Sequence, residues 1–151
     1  MAKHIVKDFL DKNHVNYSVI QHTPAYTAPE IAANCHISGK YLAKVVIIKV
    51  DDKFAMVVEP AHQRVNLKSL KELLKGSKIE LASESEFQDK FPDCEVGAVP
   101  PFGNLYDMDV YVSEKLTKDD QIAFSGGKHT ELIKMSYKDF EKLVHPNILK
   151  H

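Results

Sequence analysis

The apolar positions of the chain follow two periodicities, and the first is helical. Ile5, Val6, Phe9 and Leu10 recur at the spacing of one helix face, which predicts a first helix over about residues 2–13. Residues that can cap a helix precede further segments of this kind, namely Thr27, Asn66, Ser83 and Ser136. We therefore expect helices to begin near each of these four positions as well.

The second periodicity is that of β-strands. Short runs rich in β-branched and aromatic residues predict strands over residues 17–20, 44–50, 54–59, 79–81, 110–112, 122–124 and 132–135. The polar segment Asp51-Asp52-Lys53 predicts a hairpin between the second and third of them. Strands that interleave irregularly with helices predict an α+β fold, a single domain over residues 1–151 with a mixed sheet of about six to seven strands flanked by helices.

The stretch over residues 93–107 shows neither periodicity and is rich in glycine and proline. Its centre reads Gly97-Ala98-Val99-Pro100-Pro101-Phe102-Gly103. The prolines fix φ and remove donors, while the glycines permit close approach to a ligand, so the segment suits a stiff wall with exposed N–H groups. A tight structural crossover, with or without a cis bond before one proline, fits the residues equally well.

Composition excludes several classes of protein. With 151 residues, 44% hydrophobic and 27% charged, the chain has the balance of an ordinary globular domain. The net charge of −1 argues against a protein that coats DNA or other long nucleic acid, and Arg64 is the sole arginine, so phosphate contacts would fall to lysines and backbone N–H groups. No apolar run reaches membrane-spanning length and no signal-peptide pattern opens the sequence, which leads us to expect a cytoplasmic protein without membrane contact.

Lys44 is the first candidate for chemistry, because it opens the buried strand Val45-Val46-Ile47-Ile48. A lysine ammonium suits a phosphate or a developing oxyanion as a point charge. The alternative is a strand-end lysine whose head group reaches solvent.

The segment Ser125-Gly126-Gly127-Lys128-His129 follows a predicted strand and is the second candidate. It does not match a nucleophile elbow, because position 123 is alanine, and its lysine is not followed by Ser or Thr as in a phosphate-binding loop. A structural turn and a general esterase based on Ser125 both stay open at this point.

Metal chemistry is disfavoured, and we expect no cofactor. The eight histidines show no metal-binding spacing, and only His22 and His129 lie beside glycine or proline loops. The two cysteines, Cys35 and Cys94, are expected to be reduced. Lys68, Lys71 and Lys75 share one helix face, which becomes interesting for nucleic acid only if Lys44 opens on the same side.

Three motifs, taken in order, resemble the YbaK/ProX family of aminoacyl-tRNA deacylases, free-standing relatives of the editing domain inserted in bacterial prolyl-tRNA synthetases. The likeness spans about residues 22–144. Ala43-Lys44-Val45-Val46-Ile47 looks like the strand of the essential lysine, Gly97 to Pro101 fits the G-x-x-x-P loop, and the segment from Phe124 to His129 is similar to the small-residue loop of the amino-acid pocket. Together, the order and separation of the motifs make the resemblance specific.

The resemblance implies a curved, partly barrel-like sheet and a metal-free site. It implies catalytic roles for Lys44, Gly97 and Pro101, with Lys44 on the phosphate or backbone of the CCA end and the Gly97 loop on the ester carbonyl. The attacking water would be activated by the ribose hydroxyl of the substrate or by pocket backbone, since no side chain is an obvious general base. The residues it implies for substrate binding are His22, Val45, Ala98, Val99, Pro100, Phe102, Gly103, Ser125, Gly126, Gly127 and His129.

The function so implied is trans-editing, the hydrolysis of the ester that joins a wrong amino acid to the 3′ end of tRNA. A wall of prolines and glycines can exclude large side chains but cannot reject smaller ones, so we expect a small amino acid of the Ala, Ser or Cys type. The implied partner is the aminoacylated CCA end of tRNA, with an aminoacyl-tRNA synthetase as a further partner. The alternative is a non-catalytic module that binds an aminoacyl or nucleotide end and associates with a synthetase.

Overall fold

The fold is known from a computed structural model, which describes residues 5–21, 41–61, 63, 67–92, 94–95, 98–128 and 130–149. The helix predicted near Thr27 lies outside these residues, as do three predicted site residues, His22, Gly97 and His129. The helices are α1 (Ile5–Lys12), α2 (Leu67–Leu73), α3 (Glu84–Phe87), α4 (Glu114–Thr117) and α5 (Tyr137–Val144). The strands are β1 (Tyr17–Gln21), β2 (Ala43–Val50), β3 (Lys53–Pro60), β4 (Ile79–Leu81), β5 (Asp109–Ser113), β6 (Gln121–Ser125), β7 (Glu131–Ser136) and β8 (Asn147–Leu149).

The described strands form two sheets that meet at one corner. One sheet has the order β1-β7-β6 and is antiparallel, whereas the other has the order β4-β2-β3-β5-β8 and is mixed, with β5 parallel to both of its neighbours. A parallel bridge between Leu42 and Ala123 joins them, and the N–H of Ala123 donates to the carbonyl of Tyr41 over 2.9 Å. The predicted α+β class with a mixed sheet is confirmed.

The hairpin of β2 and β3 turns on two residues, where the sequence predicted three. Asp51 and Asp52 have φ values of 49° and 70°, the left-handed pair of a type I′ turn, and Lys53 already belongs to β3. Short polar residues tolerate this conformation better than most. The turn pairs Val50 with Lys53 and, further along the ladder, Lys44 with Glu59.

Side chains alternate across these strands and create two buried faces. On the first face, odd-numbered residues of β2 such as Ile47 pack with α1, α5 and the loop before β5 in the largest apolar cluster. On the second face, Ile48 and Val57 pack with Leu70 of α2, and a smaller cluster forms around Leu42, Ala61, Ala123 and Leu132. The first face holds most of the core, and the second is divided between two clusters.

Some elements differ from the predictions. The helix after Ser83 has only the four residues of α3 and continues as a 3₁₀ turn, Gln88–Lys90. The predicted loop over residues 93–107 contains a 3₁₀ turn at Gly103–Leu105, and the peptide bonds before Pro100 and Pro101 are trans. The sequence analysis missed α4 and β8, because elements this short carry too few residues for a periodicity. No helix within the described ranges has the length and apolarity needed to cross a bilayer.

Candidate active site

The two glycine-bearing loops are joined by backbone hydrogen bonds. The N–H of Gly127 donates to the carbonyl of Ala98 over 2.9 Å, and the N–H of Glu95 donates to the carbonyl of Gly127 over 2.8 Å. Gly127 has a φ of +103°, which side-chain-bearing residues rarely adopt, so glycine is required for this contact. Segments that lie far apart in the sequence therefore meet as one backbone unit.

The second glycine of this unit, Gly126, lies against a buried acid. Its N–H donates to the carbonyl of Glu131 over 3.2 Å, and a Cβ added at Gly126 would lie 3.1 Å from Ile133. The Glu131 carboxylate forms an ion pair with Lys7 of α1 and accepts a hydrogen bond from Gln21. The loop after β6 is thus hydrogen-bonded to a residue whose own side chain is ion-paired, which favours a fixed backbone conformation.

The proline-containing loop is a rigid and buried wall. Ala98, Val99, Pro100 and Pro101 are all buried, although they belong to no helix or strand. Prolines with fixed φ hold such a segment in one conformation without the support of a sheet ladder. The stiffness expected from the sequence is therefore accompanied by packing on the protein.

Phe102 and Gly103 pack against the core. Phe102 is fully buried, with edge-to-face contacts to Phe124 at 5.4 Å and Phe140 at 5.5 Å between ring centroids. A Cβ added at Gly103 would lie 2.5 Å from the carbonyl oxygen of Met108, so the chain passes too closely for any other residue. These contacts explain both residues by packing, and their assignment to the substrate pocket stays a prediction.

Lys44 lies level with Ser125, the last residue of β6, across the junction of the two sheets. Its strand and β6 run parallel from the Leu42–Ala123 bridge, so Lys44 and Ser125 each lie two residues beyond it. The alternation of side chains places Lys44 on the second face with Leu42, and Ser125 on that face with Ala123. The register therefore places Lys44 and Ser125 near each other on one face, and Gly127 follows two residues after Ser125.

Val45 faces the opposite way. It packs on the first face and lines a cavity of about 270 Å³ together with Val99 of the proline-containing wall. The other lining residues come mostly from the β4–α3 region: Val46, Ile47, Leu81, Ala82, Glu84 and Phe87. Lys44 and Val45 were both predicted to contact the substrate, but they present their side chains to different faces of β2, so the substrate roles of both stay predictions.

Glu59 is a residue of this corner that the sequence analysis missed. It lies directly across the ladder from Lys44 and is 0% exposed. Burial raises the pKa of its carboxyl from 4.5 to about 7, although the charges of Lys44 and Lys115 lower the pKa in part. A two-residue turn at Asp51-Asp52 was the signal that could have found this pair, because it fixes the register of the whole hairpin.

Metal chemistry finds no support in the described part of the chain. No three His, Cys, Asp or Glu side chains gather there closely enough to hold a metal ion. The thiol of Cys94 lies 3.4 Å from the Tyr106 hydroxyl and is half-buried. What the described residues offer near the junction of the sheets is the ammonium group of Lys44 opposite the buried carboxyl of Glu59, and an ammonium group suits an anionic substrate.

Comparison with protein families decides the class of the protein. Residues 22–143 match the model of the family described as the aminoacyl-tRNA editing domain. The chain belongs to this family. It is therefore an aminoacyl-tRNA deacylase, an ester hydrolase that acts on charged tRNA, and the resemblance noted in the sequence is confirmed.

Two relatives show different contexts for this editing domain. The chain is 31% identical to the prolyl-tRNA editing protein ProX of Acetoanaerobium sticklandii, and the match covers 97% of the chain and 92% of that protein. It is 33% identical to the proline–tRNA ligase of Bacillus cytotoxicus, but that match covers 54% of the chain and only 14% of the ligase. The editing domain thus spans nearly all of the first relative and a small part of the second.

A solved structure supports the fold independently. The editing domain superposes on a candidate trans-editing enzyme for prolyl-tRNA synthetase with a TM-score of 0.80 and 19% identity, over 96% of the chain and 92% of that structure. At this identity the likeness concerns the fold alone. The two-sheet fold of the chain is accordingly shared with this solved structure.

Proposed function

We propose that this editing domain acts in trans and removes a small amino acid, of the Ala, Ser or Cys type, from mischarged tRNA. The observation that carries the proposal is the pair of hydrogen bonds that joins Gly127 to Ala98 and Glu95. These bonds join the two glycine loops, and the bridge between the sheets sets Lys44 level with Ser125 at the start of the second loop. Hydrolysis of an ester at a phosphate-rich RNA end needs a cation for the phosphates and backbone N–H groups for the ester carbonyl.

In the proposed reaction Lys44 binds the phosphate or backbone of the CCA end. The loop from Gly97 to Pro101 directs backbone N–H groups to the ester carbonyl, where negative charge develops as water attacks. The ribose hydroxyl next to the ester, or pocket backbone, activates that water. Ser125, Gly126, Gly127 and His129 bound the side chain and the amino group of the amino acid.

The size limit of the substrate follows from the wall. Ala98, Val99, Pro100 and Pro101 are buried, so they have little room to yield to a larger ligand. A wall of this kind excludes a bulky side chain by steric overlap but admits alanine, serine and cysteine. The names of the two relatives concern prolyl-tRNA editing and proline–tRNA ligase, and we therefore propose tRNA for proline as the carrier.

The surface of α2 supports contact with the RNA backbone. Leu70 of α2 packs with Ile48 and Val57 on the second face of the sheet, which is also the face of Lys44. The exposed lysines of this segment are Lys68, Lys71 and Lys75. We propose that they contact phosphates of the acceptor stem, since lysine binds phosphate as a point charge.

The experiment that tests the proposal is a deacylation panel. Purified protein is mixed with tRNA for proline that carries radiolabelled alanine, serine, cysteine or proline, and released amino acid is measured. We expect release of a small amino acid and retention of proline. Binding to the charged tRNAs without release would instead support the non-catalytic module, and release of every amino acid would contradict the size limit.

Two variants test the assignment of roles within the panel. Lys44→Ala should abolish turnover, while Ser125→Ala should reduce it only slightly, because serine is not the nucleophile in this proposal. Loss of activity in Ser125→Ala and its retention in Lys44→Ala would favour the general esterase. We further propose a cytoplasmic location, where newly charged tRNA is available.

A further inference from the structure

Glu59 lies where the fold alone would prefer an apolar side chain. Its neighbours on the same face of β3 are Val57 and Ala61, which belong to two different apolar clusters. The Lys44–Glu59 pair separates these clusters, since Leu42 and Ala61 lie on one side of it and Val46 and Val57 on the other. An apolar residue at position 59 would connect the two clusters without the cost of a buried carboxylate.

The charges around Glu59 explain why a carboxylate can occupy this position. Among the described residues, the cations that act on it are Lys44, opposite on β2, and Lys115 on α4. The buried residue Ser113 follows on β5, on the same face as Tyr111 and beside the end of β3. Lys115 is exposed, whereas Lys44 is half-buried.

We propose that Glu59 is a positioning residue for deacylation, whose ionised carboxylate holds the Lys44 ammonium at the corner where the glycine loops meet. A lysine side chain is a flexible four-carbon stem, so it needs a partner to keep its ammonium group in one place. Glu59 acts through Lys44 and takes no part in bond making. This inference rests on the proposed role of Lys44.

The proposal has a consequence in the pH profile. Because burial raises the pKa of Glu59 to about 7, the carboxylate is protonated in mild acid and ionised in mild base. In the proposal, the Glu59 carboxylate therefore holds the Lys44 ammonium only at pH values above about 7. Activity that depends on the pair should increase as the pH rises through about 7.

The test measures kcat and KM from pH 5.5 to 8.5 for the wild type and for Glu59→Gln, on tRNA for proline charged with alanine. The rate of spontaneous hydrolysis is first subtracted from each measured rate. Dividing the wild-type value by that of Glu59→Gln at each pH then cancels the titration of the substrate. We expect the wild-type kcat/KM divided by that of Glu59→Gln to be near one at pH 5.5 and about ten at pH 8.5, the size of one lost charge-assisted contact. A merely structural role of Glu59 would change stability but would not give a ratio that titrates.

Three further variants complete the test. Glu80→Gln removes the partner of Lys49, a second cross-strand Lys–Glu pair of β2, and should leave the ratio flat at one. Glu59→Asp keeps the charge and should retain the rise with pH. Lys115→Gln, an exposed change that leaves the fold intact, should move the midpoint of the profile to higher pH, because Lys115 lowers the pKa of Glu59.

The outcomes are distinct. A flat ratio between wild type and Glu59→Gln, or a midpoint that does not move in Lys115→Gln, would overturn the role of Glu59 while leaving the deacylase proposal intact. If the wild type releases no amino acid from any charged tRNA of the panel, the proposed function itself fails. If Glu59→Gln does not fold, the midpoint in Lys115→Gln decides the question.

Discussion

Strand β2 carries two lysines that each face a glutamate across the ladder, and the two pairs behave oppositely. Lys49 lies opposite Glu80 and also pairs with Glu86, at the surface, whereas Lys44 lies opposite the buried Glu59. The Lys49 hydrogen bond, helped by the Ser83 N–H, lowers the pKa of Glu86 to about 2, while burial raises the pKa of Glu59 to about 7. The same residue types are thus shifted in opposite directions by their surroundings.

The difference shows which pair serves the fold. A solvated pair keeps its hydration and costs the protein little, so the Lys49 pairs suit a surface that links β2, β4 and α3. A buried carboxylate has lost its water, and the attraction of a nearby lysine offsets only part of that loss. The proposed role of Glu59 connects such a buried pair with the candidate active site, and each prediction below tests this contrast.

The largest effect is expected from the lysines themselves. Lys44→Ala should lower kcat/KM for deacylation at least about hundredfold, because the CCA end then loses the cation proposed to bind it. Lys49→Ala, on the same strand, should leave kcat/KM nearly unchanged. Comparable losses in both variants would mean that β2 as a whole, and not Lys44, supports the activity.

The next effect is on stability and concerns Glu59. Between pH 4.5 and about 7 the unfolded chain has released the proton of this carboxyl while the native protein retains it, so the free energy of unfolding falls as the pH rises through this window. Glu59→Gln removes the ionisable group and should therefore gain, relative to the wild type, about 3 kcal/mol between pH 4.5 and 8.

Urea unfolding of both proteins at several pH values measures this gain. Glu80→Gln, a surface substitution on β4 opposite Lys49 of β2, serves as the matched control and should show no such relative gain. A constant difference between wild type and Glu59→Gln across the range would mean that the carboxyl is not shifted upward by burial.

A smaller effect is expected from the lysines of α2. Replacing Lys68 and Lys71 by glutamine should raise KM for tRNA a few-fold and reduce its salt dependence by roughly one unit of log–log slope per lost phosphate contact, with kcat unchanged. Steady-state rates at several salt concentrations check this. Lys53→Gln, at the start of β3 next to the hairpin turn, is the control. An equal rise in KM for both proteins would place the RNA elsewhere.

The smallest effect belongs to Glu86. Its pKa is lowered, so the stabilisation from its contact with Lys49 is present above pH 4.5 and is lost as the pH falls toward 2. Glu86→Gln should therefore reduce stability slightly at neutral pH and not at all near pH 2, and it should leave deacylation unchanged. Thermal unfolding at both pH values measures the effect, and an altered rate of deacylation would remove the contrast between the two pairs.

The hairpin of β2 and β3 shows how far the sequence reasoning reached. The β-branched runs identified both strands, but a turn over Asp51-Asp52-Lys53 would have paired Lys44 with Pro60. The observed turn of Asp51 and Asp52 pairs Lys44 with Glu59. A shift of one residue moves a side chain to the other face of a sheet, so the buried pair could not be read without the turn conformation.

The sequence by itself determined the α+β class, seven of the described strands and the three motifs of the editing-domain family, because these depend on local periodicity and on residue types at short spacing. Only the tertiary structure decided that Gly127 binds Ala98 and that Lys44 and Val45 face apart. The same is true of the burial of Glu59 beside Lys44. These contacts join residues that are distant in the chain, and burial shifts a pKa only once the surrounding elements have removed water.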